Sequence, residues 1–394
     1  MSPVLPFDII TVIIDIIGEN KDTDLLKDLA LVSQSFLHIC SKHLFSTVEL
    51  HDTGPAHYLT ASNKGFIKLL KSRPSVVEYI RKLTYKTVHG KRFQSPPILP
   101  VLLRTIPYLN CLTIATADDW KTLDCSLKSA LLHLMHLPTI NYIDLSFIRN
   151  FPLPSLTSCV HLHRLDIHHL LDAHELKLKD SFEIVQSEMR LREFHISESS
   201  LPTMKLLNAK LQDGRPAFNF MDLGRLSLSF VESEDEQIIR YLLQNAQSLE
   251  ELHLSVDCRR NLVGLLSPSA RSGTLKVLDL TVFLYRFCTP PLAGLCEEFE
   301  AMSGRNKVEA LFFEVKVDAH ESEDFIGSVI QKVEEVLVRP GWSALKQVSF
   351  KISCLSRANR AKAEALRYLP DEYLRRLSKL QSIAFTYSVD NFMS

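Results

Sequence analysis

The sequence predicts an α/β protein in which a compact three-helix start is followed by a repeat array of parallel strands with helices outside. Three observations predict it. Aliphatic residues recur at helical spacing through the first fifty positions. From about residue 80 a short pattern returns again and again: aliphatic, two variable residues, aliphatic, one variable residue, then aliphatic or aromatic. Between the copies lie stretches whose apolar residues again follow helical spacing.

The first helix is expected to open at Leu5-Pro6, because proline at a helix start loses only an N–H that would be unpaired there anyway. Ile9, Ile10, Ile13, Ile14 and Ile17 form its stripe, and Gly18 is its expected stop. In the polar turn that follows, Asp22 or Thr23 is suited to cap a second helix, striped by Leu25, Leu26, Leu29 and Val32. Ser33-Gln34-Ser35 interrupts the stripe. Phe36, Leu37, Ile39 and Cys40 then lie on a third short helix that Leu44-Phe45 closes. About fifty residues are too few to bury this many isoleucines and leucines. Part of the apolar surface must therefore meet another protein or, in the plainer alternative, the following domain.

The recurring pattern has eleven copies. The clearest are Ile80-Leu83-Tyr85, Leu109-Leu112-Ile114, Ile140-Ile143-Leu145, Leu162-Leu165-Ile167, Leu191-Phe194-Ile196, Leu223-Leu226-Leu228, Leu249-Leu252-Leu254 and Leu275-Leu278-Leu280. Weaker ones are Val308-Leu311-Phe313, Leu345-Val348-Phe350 and Leu380-Ile383-Phe385. Starts are 22 residues apart at the closest (140 to 162) and 37 at the widest (308 to 345). Helical stretches are expected at 126–137, 236–248 and 322–338. Strand, turn, helix and return is the unit of a leucine-rich repeat, here an irregular one, since the asparagine that usually ends the strand turn is missing from most copies. Each unit exposes an apolar edge that only a neighbour can cover, so stacking into a curved solenoid is expected. A doubly wound α/β domain would also alternate strands and helices, but no Gly-rich phosphate loop accompanies this alternation.

Side chains alternate along a strand, so the register lists those expected on the outward, concave ribbon. They include Tyr142, Asp144, Arg164, Asp166, His168, Glu193, His195, Glu251 and His253, together with Lys82, Lys86, Arg225, Asp279, Glu314 and Lys351. Mixed charge suits a polar protein or peptide surface, whereas nucleic acid asks for a continuous basic stripe. The whole chain agrees: Lys plus Arg is 45 and Asp plus Glu is 46, with no basic excess to attract DNA, RNA or an anionic membrane.

The apolar run 9–14 is preceded by no Lys or Arg and bounded by Asp8 and Asp15, which argues against a signal peptide. No other run approaches the length of a membrane span. The eight cysteines contain no C-x-x-C pair and are expected to be reduced core thiols, placing the chain in the cytoplasm or nucleus. His161, His163, His168, His169 and His174 cluster in sequence, and His133 and His136 are expected on one helix, but no third ligand at metal spacing joins them. Glu297-Glu298 and Glu334-Glu335 read as solvated helix faces. No nucleophile elbow, Walker loop or dinucleotide fingerprint occurs. The expectation is a binding protein without catalytic residues, cofactor or metal.

Residues 5–48 resemble an F-box. Leu5-Pro6, Asp8, Ile9, Ile13, Asp24-Leu25, Leu29, Val32, Phe36 and Leu44-Phe45 stand where that family has its Leu-Pro, acid, aliphatic pair, Asp-Leu start and Leu-x-x-Val helix ending in an aromatic. Ser33 replaces a common cysteine and Phe36 a common tryptophan. Phe66 to Leu70, Arg73-Pro74 and Ile80 to Leu83 resemble the segment that follows the F-box in the large fungal group. The resemblance implies an F-box over 1–50, a helical linker over 51–79 and a target-binding repeat domain over 80–394. It implies that Leu5, Pro6, Ile9, Ile13, Leu25, Leu29, Val32 and Phe36 bind a Skp-type adaptor, which bridges to a cullin scaffold. The function it implies is target recognition in a cullin–RING ubiquitin ligase. A non-ligase scaffold using the same F-box is the alternative, and an α/β enzyme capped by three helices is a more distant one.

Overall fold

The computed structural model describes residues 6–52, 61–87, 97–171, 188–211, 213–229, 235–257, 262–266, 273–284, 294–317, 323–354 and 360–391. Two compact units divide the chain, one formed by 1–189 with 205–218 and the other by 190–204 with 219–394.

The first unit begins with three helices: α1 (Phe7–Glu19), α2 (Thr23–Ala30) and α3 (Gln34–Leu44). Their starts follow from local chemistry. Asp22 caps α2 by accepting the Leu25 N–H at 3.1 Å, and Ser33 caps α3 by accepting the Phe36 N–H at 3.3 Å. The shared core is small. Ile14, Leu26, Ile39 and Cys40 are buried, and Ile10, Ile17, Leu29, Ala30, Phe36 and Leu44 pack against them. Gly18 does not stop α1, which continues to Glu19. Its missing side chain instead admits the His43 ring, which a Cβ at Gly18 would meet at 2.2 Å. That ring places Nε2 2.7 Å from an Asp15 carboxylate oxygen, tying α3 to α1.

Five strands follow: β1 (Thr47–Asp52), β2 (Lys82–Thr87), β3 (Cys111–Thr116), β4 (Tyr142–Ser146) and β5 (Arg164–His168). They neighbour one another in chain order and every pair is parallel. Leu83, Leu112, Ile143 and Leu165 are direct partners along the ladder, and so are Tyr85, Ile114, Leu145 and Ile167. All eight are buried. The second and third aliphatics of each copy are thus two inward rows, as the alternation of strand side chains requires. Val48 and Leu50 of β1 extend the same rows opposite Leu83 and Tyr85. The ladder therefore begins at residue 47, inside the span expected for the three-helix module and ahead of the first copy at 80. The helix Ala61–Ser72 and the 3-10 turn Pro74–Tyr79 fall in the expected linker; Cys125–Met135 is the helix expected at 126–137.

A separate two-stranded pair is formed by β6 (Met189–Arg190) and β8 (Phe218–Asn219). The second unit contains β7 (Glu193–Ser197), β9 (Arg225–Ser229), β10 (Glu251–Asp257), β11 (Val277–Leu284), β12 (Ala310–Val317), β13 (Gln347–Cys354) and β14 (Ala384–Asn391). These seven again pair in order and in parallel. Phe194, Leu226, Leu252, Leu278, Leu311 and Val348 are successive partners. The last copy departs from the expected register, since Phe385 rather than Ile383 lies opposite Val348. Ile383 is still in the preceding turn, its N–H donating to the Leu380 carbonyl at 3.2 Å, and the strand starts only at Ala384. Among the described residues the architecture is α/β, with twelve parallel strands and helices in the connections.

Two of the glutamates expected in solvent are buried. Glu298, on the helix Leu295–Met302, is 2% exposed, and Glu334, on Glu323–Leu337, is 4% exposed. Glu298 accepts the backbone N–H groups of Gly264 and of Leu266, the latter at 2.7 Å. Glu334 accepts those of Arg376 and Leu377 at 2.7 and 3.0 Å. A buried carboxylate is tolerated where charge-assisted hydrogen bonds replace water, and here they close turns left open by the chain. Glu297 is exposed, as expected. Cys40, Cys159 and Cys354 are buried thiols and Cys125 is exposed; Cys258 and Cys288 lie outside the described residues. No described helix is long and apolar enough to cross a membrane.

Candidate functional site

The three-helix start presents an apolar face to solvent. Ile9, Val12, Ile13 and Ile16 recur at i, i+3, i+4 and i+7, which places them on one side of α1, and each is 44–57% exposed. Phe7, Leu25, Leu31 and Val32 are exposed as well, Leu31 at 86%. Of the eight residues expected to anchor an adaptor, Pro6, Ile9, Ile13, Leu25 and Val32 face outward. Leu29 and Phe36 are half-buried against the unit's own core, and Leu5 lies outside the described residues. Phe7, Val12, Ile16 and Leu31 were not among those eight. Their signal was available in α1, where Asp8, Thr11, Asp15 and Glu19 share one face and the remaining surface is apolar, more than its unit can cover.

On the outward face of the first unit, β4 and β5 bring four expected residues together. Tyr142 is the ladder partner of Arg164, and Asp144 of Asp166. Arg164 grips Asp166 with two bonds, Nη2 to Oδ2 at 2.8 Å and Nε to Oδ1 at 3.1 Å. The Tyr142 hydroxyl donates to the same Oδ2 at 2.8 Å, while the guanidinium lies 4.5 Å from the Tyr142 ring centroid. Asp166 is consequently buried rather than solvated. Burial, then the Asp166 charge, raises the Tyr142 phenol above its ordinary pKa. His168 is half-buried at the end of β5, opposite Ser146.

Among the described residues Asp144 has hydroxyl company instead of a paired lysine or arginine. Ser146 donates to it at 2.8 Å. Burial raises its pKa first, and the Asp166 charge adds to that; the Ser146 and Thr113 hydrogen bonds and His168 offset only part. A carboxyl whose folded pKa is raised stabilises the fold below its ordinary pKa and loses that contribution as pH rises through the folded value. Asp144→Asn is therefore expected to raise stability at pH 7 by about 0.5–1 kcal/mol, the scale of a like-charge cross-strand contact. The gain should shrink to nothing on acidification below roughly pH 4. Thermal melts of both chains across pH 3.5–7.5 measure it, and a constant or reversed difference would contradict it.

In the second unit the expected residues fall into a chain of ion pairs. Arg225 donates from Nε to Glu251 at 2.7 Å and lies 3.9 Å from Glu193. His253 places Nδ1 3.0 Å from Asp279 and Nε2 3.8 Å from Glu251. His195 shares the row of Ser227 and His253. These pairs are partly exposed and each contributes little to stability. Further along, Glu314 accepts from Ser353 at 2.6 Å and stands 3.3 and 3.8 Å from the Lys351 and Lys316 ammonium groups. Burial opposes its ionisation, but that hydroxyl and the two lysines outweigh it and hold the pKa below the usual value. Lys316 also lies 5.0 Å from the Phe283 ring centroid.

The histidines take separate roles. His161 and His163 are exposed in the turn before β5, not on a strand. His133 is on the helix Cys125–Met135, whereas His136 caps its end with Nε2 2.9 Å from the Ser155 carbonyl. His169 stacks on Phe147, and His174 lies outside the described residues. Along both strand faces the side chains offer fixed charges, donors and acceptors on a backbone held by its ladder, the chemistry of polar surface recognition. The chain matches no protein-family model, and no curated protein matches it.

Proposed function

We propose that the chain is a target-recognition subunit of a cullin–RING ubiquitin ligase: α1–α3 act as an F-box that binds a Skp-type adaptor, and the strands hold a protein target. The observation that carries this reading is the solvent-facing aliphatic stripe Ile9, Val12, Ile13 and Ile16 on α1, with Leu25, Leu31 and Val32 also exposed on the same three-helix start, outside the small core that Ile14, Leu26, Ile39 and Cys40 form. An exposed apolar stripe of this kind marks an interface. Burying one such side chain contributes about 1.5–3 kcal/mol, so a few suffice for a stable complex.

Strand order that follows chain order, with a constant register of aliphatic rows, supports reading the repeats as a leucine-rich-repeat solenoid. Its outward strand face is then a concave surface for a target. Catalysis by such a receptor is tethering: a bound target lysine is kept near a charged conjugating enzyme, and effective concentration replaces any catalytic side chain here.

The test is co-expression with a Skp-type adaptor. Wild-type chain is expected to co-purify with it in equal amounts. Ile9→Asp or Ile13→Asp should weaken the complex by at least thirtyfold, because an unpaired charge would be desolvated. Both side chains are solvent-facing, so each variant should melt at the wild-type temperature. Unchanged co-purification of either variant, or indifference of the wild type to the adaptor, would end this reading.

A further inference from the structure

The residues that immediately follow β4 and β5, Phe147 and His169, both have left-handed backbones, with φ of 63° and 48°. Neither is glycine, so the conformation is unfavourable at each and is held by the surroundings: Phe147 N–H donates to the His168 carbonyl at 2.9 Å. The consequence is a change of side. Leu145 points inward and Ser146 outward, so an uninterrupted strand would send Phe147 into the core. The left-handed step leaves Phe147 51% exposed while the next residue, Ile148, is buried. Its ring lies flat against the imidazole of His169, with centroids 4.8 Å apart and planes 9° apart. Leu171, also 51% exposed, follows two residues later.

This apolar rim adjoins a carboxylate that no described lysine or arginine pairs with. Arg164 is committed to both oxygens of Asp166. Among the described residues no lysine or arginine forms an ion pair with Asp144; the Ser146 and Thr113 hydroxyls are its hydrogen-bonded neighbours, and the Asp166 carboxylate and the His168 imidazole face it. Phosphate or an anionic membrane would be repelled here, whereas a cationic side chain would complete the site.

We propose that Asp144, Phe147 and His169 receive a segment of a protein target that carries a lysine or arginine for Asp144 and an apolar or aromatic residue for the Phe147 rim. Asp144 and Phe147 are three positions apart, a span of at most about 10 Å, so an extended segment would carry its two side chains two or three residues apart. The proposal rests on reading the outward strand face as the target-binding surface and names the chemistry of that target.

The probe is an array of immobilised decapeptides with a Gly/Ser background, in which Lys, Arg, Glu or Ser occupies one position and Phe, Leu or Ser another, up to three residues away. The full-length chain is expected to be retained at least tenfold better by Lys or Arg two or three residues from Phe or Leu than by the same peptides carrying Glu. Asp144→Asn should cut the preference for Lys over Ser below twofold while keeping that for Phe over Ser. Phe147→Ser should do the reverse. Asp144→Asn is expected to be at least as stable as the wild type, so its loss of selectivity cannot be misfolding. Equal retention of Lys and Glu peptides by the wild-type chain, or unchanged selection by Asp144→Asn, would overturn the proposal. No adaptor is present in this measurement, so failure of adaptor binding and failure of peptide selection are read separately.

Discussion

Replacing Glu334 by alanine is expected to destabilise the second unit by about 3 kcal/mol, a drop of roughly 8 °C in Tm for a unit of this size. The loss comes from the partners left behind. The Arg376 and Leu377 N–H groups both donate to one Glu334 oxygen, and Leu377 is fully buried. Without that oxygen two backbone donors stay unpaired in a place water does not easily reach, at about 1–3 kcal/mol each. Glu334→Gln keeps a carbonyl oxygen for the N–H groups and should recover part of the loss. Glu298→Ala removes the acceptor for Gly264 and Leu266 and should cost a similar amount. The neighbours are the controls. Glu297→Ala and Glu335→Ala remove the same chemical group from more open positions and should stay within about 0.5 kcal/mol of wild type. Denaturant melts of the four alanine variants decide it, and equal effects at Glu334 and Glu335 would show that these bonds do not hold the turns.

Gly18→Ala and Gly65→Ala are expected to shift stability in opposite directions. Both glycines are helical, and glycine in a helix costs about 0.5–1 kcal/mol relative to alanine. At Gly65, on the helix Ala61–Ser72, nothing lies within 4 Å of an added Cβ, so Gly65→Ala should stabilise by that amount. At Gly18 the new atom would stand 2.2 Å from His43 Nδ1 and 2.3 Å from Cγ. The ring would have to swing away, which breaks the contact between Nε2 and Asp15. Overpacking of this kind costs about 1–3 kcal/mol and outweighs the gain in propensity. In a His43→Ala background the clash is gone, so Gly18→Ala should there become neutral or stabilising. A rise in Tm for Gly18→Ala in the wild-type background would refute the close packing of α1 on α3.

Much of the fold was legible in the sequence because it is written locally. Asp22 and Ser33 cap helices from positions three residues before the N–H groups they accept, and the aliphatic triplets set strand register within six residues. Strand β1 escaped because Val48 and Leu50 alone are too few to show the triplet. Of the candidate sites, the apolar stripe could be read as a surplus of aliphatics on α1, and the outward rows as alternate residues of each strand. Which members of the stripe turn outward could not be read, since Leu29 and Phe36 look the same in sequence as Val32 yet pack into the core.

By itself the amino-acid sequence determined the three helices, eleven of the twelve parallel strands and the inward rows of all but the last copy, because caps and side-chain alternation act over a few bonds. Only the tertiary structure decided that Glu334 is buried, that Asp144 faces Asp166 with no lysine or arginine paired to it among the described residues, and that Phe147 leaves the core side of its strand. The reason is distance along the chain: Glu334 is satisfied by Arg376, 42 residues away, and the Phe147 N–H by the carbonyl of His168 in the next strand. A contact of that kind leaves no periodic trace, and it is defined only once the strands have come together.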